Sequence, residues 1–206
     1  MLARLAALLA LTVLYVPAGW SAGQKIVVVG DSLSSGYGMT AEQSWVAMLS
    51  ERLDAEAYGY EVVNASIGGD TSAGGLARLP RLLETYDPTL VVIELGGNDG
   101  LRGQPIETMR ANLARMIELS QQHGARVLLA GMRLPPNLGL TYTSMFEAVY
   151  PELAAKYDVT LVDFLLEGVA LHPNLMQPDN IHPNAEGQKV VFANVWPVLS
   201  EMLRAR

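Results

Sequence analysis

A serine hydroxyl attacks a carbonyl carbon only when a base within hydrogen-bond reach can take its proton. The stretch VVVGDSLSSGYG, from Val27 to Gly38, offers such a hydroxyl: a β-branched run empties through Gly30 and Asp31 into Ser32. The chain has three histidines that could serve as the base. His123 lies one residue before Gly124 at the end of a helical pattern, where an imidazole acts as a C-terminal cap. His172 falls in a long polar loop and reads as a surface residue. His182 follows Asp179 by three residues in Asp179-Asn180-Ile181-His182. In a tight turn that spacing lets the carboxylate accept the Nδ1–H and leaves Nε2 facing outward as a base. Taken alone, an Asp-x-x-His is also an ordinary loop with a residue ahead of a helix, so the pair needs further support.

Acyl transfer also needs donors for the developing oxyanion. The backbone N–H of Ser32 is one candidate, if the serine opens a helical turn. Gly68 is a second, because a residue without a Cβ can bring its N–H close to a substrate. Asn98, after Gly96-Gly97, can aim its side-chain amide at the same point. Each of these is singly a turn residue. Their joint placement is the stronger signal, and it follows from the elements that carry them.

Apolar runs and punctuation predict strand, helix, strand, helix, five times over. The strands are QKIVVVG, YEVVNAS, TLVVIELGG, ARVLLAGM and VTLVDF. They are continuous apolar runs rather than alternating ones, which predicts a parallel sheet covered by helices on both faces. Thr40 with Gln43 forms a capping-box pattern for a helix to about Leu53. The pattern from Thr71 to Tyr86 is helical, with Pro80 expected to break or kink it. Further helices are predicted from Pro105 to Gln122, from about Thr143 to Tyr157, and from an Asn184 cap to about Leu203. In such a sheet, ligands bind outside the carboxyl ends of the strands. Gly30-Asp31-Ser32, Ala65-Ser66-Ile67-Gly68-Gly69, Gly96-Gly97-Asn98-Asp99 and the Asp179–His182 loop all follow strands. Serine, glycine, asparagine and histidine therefore converge on one edge.

These blocks, in this order, resemble those of the SGNH (GDSL) hydrolases: Gly30-Asp31-Ser32-Leu33-Ser34, Gly68 in NASIGGDTS, Gly96-Gly97-Asn98-Asp99, and Asp179-x-x-His182. The neighbouring text GGNDGLRG, MRLPPNLG and QPDNIHPN is similar to the bacterial periplasmic subgroup of acyl-CoA thioesterase I, lysophospholipase L1 and arylesterase enzymes. The resemblance implies a three-layer α/β/α, flavodoxin-like fold with strand order 2-1-3-4-5. It implies Ser32 as nucleophile, His182 as base, Asp179 as its partner, and an oxyanion hole from Ser32, Gly68 and Asn98. It also implies hydrolysis of acyl esters and thioesters through an acyl-Ser32 intermediate, on aryl esters, acyl-CoA and lysophospholipids. A carbohydrate O-acetylesterase on the same scaffold and a ligand-binding module without turnover are the alternatives. The absence of an aromatic platform disfavours the first, and the intact Ser32, Asp179 and His182 disfavour the second.

The loops MRLPPNLGL and LLEGVALHPNLM are the candidate walls of an apolar substrate channel, with Leu134, Pro135, Leu171 and Met176 as lining residues. The segment DTSAGGLARLP, with Gly74-Gly75, is a candidate mobile rim. Gly36-Tyr37-Gly38-Met39-Thr40-Ala41 fits a dinucleotide pattern but starts six residues beyond the strand, so no nucleotide site is expected.

With 206 residues and 17% of them charged, one globular domain from residue 23 to 206 is expected. The net charge is −7 and no run of Lys or Arg occurs, which excludes the electrostatic footprint of a nucleic-acid binder. There are no cysteines and few histidines, so neither a disulfide nor a metal is expected, and no cofactor is implied. Arg4, the apolar run Leu5 to Val16 and the small residues of PAGWSAG read as a signal peptide over residues 1–22, cut between 21 and 23. The apolar run is shorter than the ~20 residues needed to span a bilayer. An exported, periplasmic or secreted monomer with a small-molecule acyl substrate, and no stable membrane insertion, is the expectation.

Overall fold

The computed structural model describes residues 23–204, so the signal-peptide reading of residues 1–22 lies outside the described residues. Five strands form one parallel sheet: β1 (Gln24–Gly30), β2 (Tyr60–Asn64), β3 (Leu90–Glu94), β4 (Arg126–Ala130) and β5 (Thr160–Val162), in the order β2-β1-β3-β4-β5. The central strands are the most apolar because helices cover both their faces. Ile26 to Val29 of β1 are fully buried, and every residue of β3 is buried.

The helices are α1 (Ser32–Ser35), α2 (Trp45–Ala55), α3 (Ser72–Tyr86), α4 (Gly97–Leu101), α5 (Ile106–Gln122), α6 (Leu140–Tyr157) and α7 (Ala185–Arg204). The chain leaves β1 in one direction to reach β2 and in the other to reach β3, β4 and β5. Right-handed crossovers then place the connecting helices on opposite faces. Accordingly α2 packs on α7, while α3, α5 and α6 pack side by side. The strand order reverses between β1 and β3, and Ser32 stands at that switch point. No helix among the described residues is long and apolar enough to cross a membrane.

Several local expectations are corrected. The Thr40/Gln43 pair closes only a 3₁₀ turn over Ala41–Gln43, with the Thr40 N–H donating to Gln43 Oε1. Ser44 caps α2 instead, its hydroxyl accepting from Ala47 N–H at 3.1 Å. Pro80 does not end α3, and Pro151 and Pro197 likewise lie inside α6 and α7. All three are on exposed faces, where a carbonyl that loses its helical partner meets solvent. The segment expected as a mobile rim is the first half of α3. Gly75 in it is buried, and a Cβ there would meet Leu95 Cδ1 at 2.2 Å, so this glycine serves helix-to-strand packing rather than flexibility.

Two helical turns escaped the sequence pattern, and both lie at the carboxyl edge. α1 is a single turn closed by Gly36, and α4 is entered through Gly96 at φ 112°. A Cβ at Gly96 would meet the Tyr150 hydroxyl at 2.4 Å, and that hydroxyl donates to Leu95 O at 3.0 Å. Gly96→Ala is therefore expected to destabilise the protein by roughly 2 kcal/mol or more, from backbone strain with the lost hydrogen bond added. Thermal melts check this; an unchanged Tm would show that the turn relaxes freely.

Candidate active site

The carboxyl edge brings Ser32, Asp179 and His182 together. Ser32 is the first residue of α1, directly beyond β1. His182 lies in the loop that leads into α7 and approaches Ser32 Oγ through Nε2 at 2.8 Å. Its Nδ1 is 2.7 Å from Asp179 Oδ2. Partial burial raises the Asp179 carboxyl. The N–H groups of His182 and Ile181, together with the imidazole itself, outweigh that and hold it down to about 2. Asp179 is then a carboxylate at neutral pH and can only accept, so the proton of the imidazole sits on Nδ1. The Nε2 lone pair faces the serine hydroxyl, which is the arrangement that can take its proton.

The turn is built for this. Asp179 Oδ1 accepts from Ile181 N–H and His182 N–H at 2.9 and 3.0 Å, and Asn180 takes a left-handed conformation at φ 56°. Asn184 Oδ1 accepts the N–H groups of Glu186 and Gly187, so α7 starts immediately beyond. Gln177 donates to the carbonyls of Tyr37 and Pro183 and ties this loop to the serine turn. The Tyr37 ring covers the imidazole with centroids 4.5 Å apart. Neither Gln177 nor Tyr37 announces itself in the sequence, since each acts on a partner far along the chain.

Hydrogen-bond donors are left unspent around Ser32. Asp31 Oδ1 caps α1 by accepting Leu33 N–H at 3.0 Å, which leaves the Ser32 N–H at the open helix end. Neither that N–H nor the N–H of Gly68 has a protein acceptor among the described residues. Asn98 gives one amide hydrogen to Asp31 Oδ2 at 2.9 Å and keeps the other. Within the protein a Cβ at Gly68 would meet Tyr37 at an ordinary 3.9 Å, and the neighbour whose backbone needs glycine is Gly69 at φ 76°.

Under the serine turn lies a carboxyl pair. Glu94 ends β3, is fully buried, and accepts Ser34 Oγ at 2.6 Å and Asp31 N–H at 3.1 Å on Oε2. Its Oε1 has no hydrogen-bond partner among the described residues. Burial pushes its carboxyl well above the usual range, and the neighbouring Asp31 charge adds to that, so Glu94 is the member that keeps a proton. Burial also raises Asp31, against the N–H of Leu33, the Asn98 amide and the His182 charge. Ser34 is wholly buried and also accepts Trp45 Nε1 at 3.1 Å.

The remaining predicted residues separate. Asp99 is structural, its carboxylate accepting Ser72 N–H and Oγ at 2.8 and 2.6 Å. His123 stands at the opposite edge beside Asp87, and His172 is exposed. Of the proposed channel residues, Leu134 and Met176 are each only 8% exposed and belong to the core, Leu134 packing over Gly100. Pro135 is exposed, and Leu171 is 83% exposed. The surface of those loops comes instead from Leu138, Leu140 and Leu171. No cluster of metal-ligating side chains occurs among the described residues.

Two titrations follow. Asp179 has its folded pKa below the ordinary ~3.9, so its stabilisation is present above about pH 4 and is lost as pH falls towards 2. The Tm deficit of Asp179→Asn should shrink over that window. Glu94 has the opposite sign: its contribution is complete below about pH 4.3 and declines as pH rises. Glu94→Gln should thus gain stability relative to the parent with rising pH. A constant difference in thermal melts would mean Glu94 ionises normally.

Residues 28–190 match the model of the GDSL-like lipase/acylhydrolase family. The chain is 52% identical to esterase TesA of Pseudomonas aeruginosa over 183 residues, 89% of this chain and 91% of that protein. It is 44% identical over 171 residues to thioesterase 1/protease 1/lysophospholipase L1 of Escherichia coli K12, covering 83% and 81% of the two chains. A crystal structure of TesA superposes with a TM-score of 0.85 at 52% identity, covering 86% of this chain and 99% of that one. On this evidence, with the fold and the site agreeing, the chain belongs to the GDSL-like lipase/acylhydrolase family.

Proposed function

We propose that the protein is a serine hydrolase that cleaves acyl esters and thioesters through Ser32. The observation that carries this is the Asp179–His182–Ser32 relay, with heavy-atom contacts of 2.7 and 2.8 Å, beside donors that no protein acceptor uses. His182 Nε2 takes the Ser32 proton as Oγ bonds to the carbonyl carbon. The carbonyl oxygen becomes an oxyanion held by Ser32 N–H, Gly68 N–H and the Asn98 amide. The tetrahedral adduct collapses, the bond to the alkoxide or thiolate breaks, and the imidazolium protonates the leaving group. Water, deprotonated by the same Nε2, then attacks the acyl-Ser32. The acid leaves, and the proton returns to Oγ. Asp179 stabilises the imidazolium in both halves without taking the proton.

The surface around the site favours an apolar acyl group. Tyr37, Ile67, Leu101, Leu138, Leu140 and Leu171 are exposed large apolar side chains on the segments that follow the strands' carboxyl ends. The connections at the opposite edge carry none among the described residues. The basic start and short apolar run of residues 1–22 support export to the periplasm.

A fluorophosphonate should label Ser32 and block turnover. Ser32→Ala and His182→Ala should each lower kcat on p-nitrophenyl esters and acyl-CoA by about 10³-fold or more. Retained turnover in Ser32→Ala would overturn the assignment.

A further inference from the structure

Gly68 stands on the loop beyond β2, the edge strand of the sheet, so only β1 supports that loop from within the sheet. The ladder continues past the strand: Ala65 N–H donates to Val28 O and Ile67 N–H to Gly30 O, at 2.9 and 3.0 Å. Arg102 Nη2 donates to Gly69 O at 2.9 Å and Asn64 Nδ2 to Ser34 O at 2.8 Å, but one side chain reaches both the serine turn and the Gly68 loop. Arg78, in the second turn of α3, turns its guanidinium back towards the carboxyl edge. Its Nη2 donates to Gly30 O at 3.1 Å, its Nη1 to Ala65 O, and its Nε to Asp70 Oδ2 at 2.9 Å. The Arg78 and Asp70 side chains are only 19% and 13% exposed, so this ion pair is sheltered from solvent.

Between them the three acceptors flank Gly68 on both sides and precede Ser32. Gly30 is two residues before Ser32, Ala65 is three before Gly68, and Asp70 is two after it. Gly30 O receives Arg78 and Ile67 N–H together, which couples the serine turn to the Gly68 loop directly. We infer that Arg78 is a positioning residue that sets the separation of the Ser32 and Gly68 N–H groups; this rests on the hydrolase reading above. A planar guanidinium presents its donors in a fixed fork, which lets one side chain hold three separate acceptors at set positions. An ammonium is a single point and cannot span them. Oxyanion donors work within about 2.7–3.1 Å of the oxygen, and a misplacement near 1 Å costs on the order of 10²-fold in rate.

Arg78→Gln and Arg78→Lys, with parent and Ser32→Ala as references, test this through kcat, KM and affinity for a trifluoromethyl ketone, which forms an oxyanion adduct. The expected result is a kcat lower by about 10- to 100-fold in Arg78→Gln, KM within about twofold, and ketone affinity weakened in proportion to kcat. Arg78→Lys should be impaired in the same sense, and it decides the matter should Arg78→Gln fail to fold. Guanidinium ion added to Arg78→Ala should restore part of kcat. Turnover within about twofold of the parent in the Arg78 variants, or a loss confined to Tm with ketone affinity unchanged, overturns the inference. Should Ser32→Ala lose turnover while the Arg78 variants keep it, this inference alone falls. Should Ser32→Ala keep turnover, the hydrolase reading falls and takes the inference with it.

Discussion

One hydrogen bond, 2.8 Å long and joining residues 150 apart in the chain, is what the site depends on. Such a bond contributes only about 1 kcal/mol net. That is too little to order the two segments that meet in it, since fixing a single residue's backbone costs about as much. Ser32 and His182 must therefore arrive already held. Gln188, in the first turn of α7, is fully buried. It donates to Leu33 O at 3.2 Å and accepts Trp45 N–H at 2.8 Å. It thus fastens the helix that follows His182 to the turn that carries Ser32 and to the start of α2. Gln177 repeats the fastening on the surface side, through Tyr37 O and Pro183 O. The Ser32–His182 contact is the product of these bonds rather than their cause.

The serine turn is held from below by polar groups that a purely apolar core could not replace. Asp31 N–H and the Ser34 hydroxyl both point to Glu94 Oε2, and Trp45 Nε1 donates to Ser34. An apolar residue at 94 would leave the first two without an acceptor, at about 1–3 kcal/mol each. A charged carboxylate at full burial would be costlier still. A protonated Glu94 meets both demands: it accepts, and it carries no charge. Gly30 follows from the same packing, because a Cβ there would lie 2.7 Å from Glu94 Oε2. Asp31, one step closer to the surface, has Leu33 N–H and Asn98 as partners. In holding Asn98 it couples the two strand ends on either side of the switch point.

The parallel sheet and the edge that carries the site were legible because both follow from short-range pattern, whereas the strand order came only from the resemblance of the sequence blocks. A buried parallel strand reads as a continuous apolar run, and the Asp179–His182 spacing gained its meaning from the other polar blocks that follow strands. Glu94, Gln188, Gln177 and Arg78 were not legible, since each is one polar residue inside an ordinary helix, strand or loop. Their partners lie 63, 155, 140 and 48 residues away. Pro80 does not end α3, because on an exposed face the carbonyl that loses its helical partner can meet solvent. Leu134 and Met176 misled because an apolar residue in a loop looks the same whether it faces a substrate or the core. At Gly68 the protein itself leaves room for a Cβ, so any need for glycine there lies on the open side.

The charge of the chain bears on what such a surface can select. At a net charge of −7, long-range attraction for an anionic head group is weak or adverse. Arg102 and Arg133, on the segments after β3 and β4, are engaged by Gly69 O and by Glu147 and Glu167. Discrimination among esters then falls to the acyl part. Each methylene taken from water is worth about 0.8 kcal/mol, which is about fourfold in binding. That gain continues only as far as apolar surface continues from Ser32. Leu138, Leu140 and Leu171 stand on the connections beyond β4 and β5, at or before the helices that follow, whereas Ser32 is set by the end of β1 and His182 by the ties through Gln188 and Gln177. Leu138 and Leu140 are thus on a different segment from Ser32, Asp179 and His182, whereas Leu171 shares the β5–α7 connection with the last two, so a change there bears on both the apolar surface and the histidine loop.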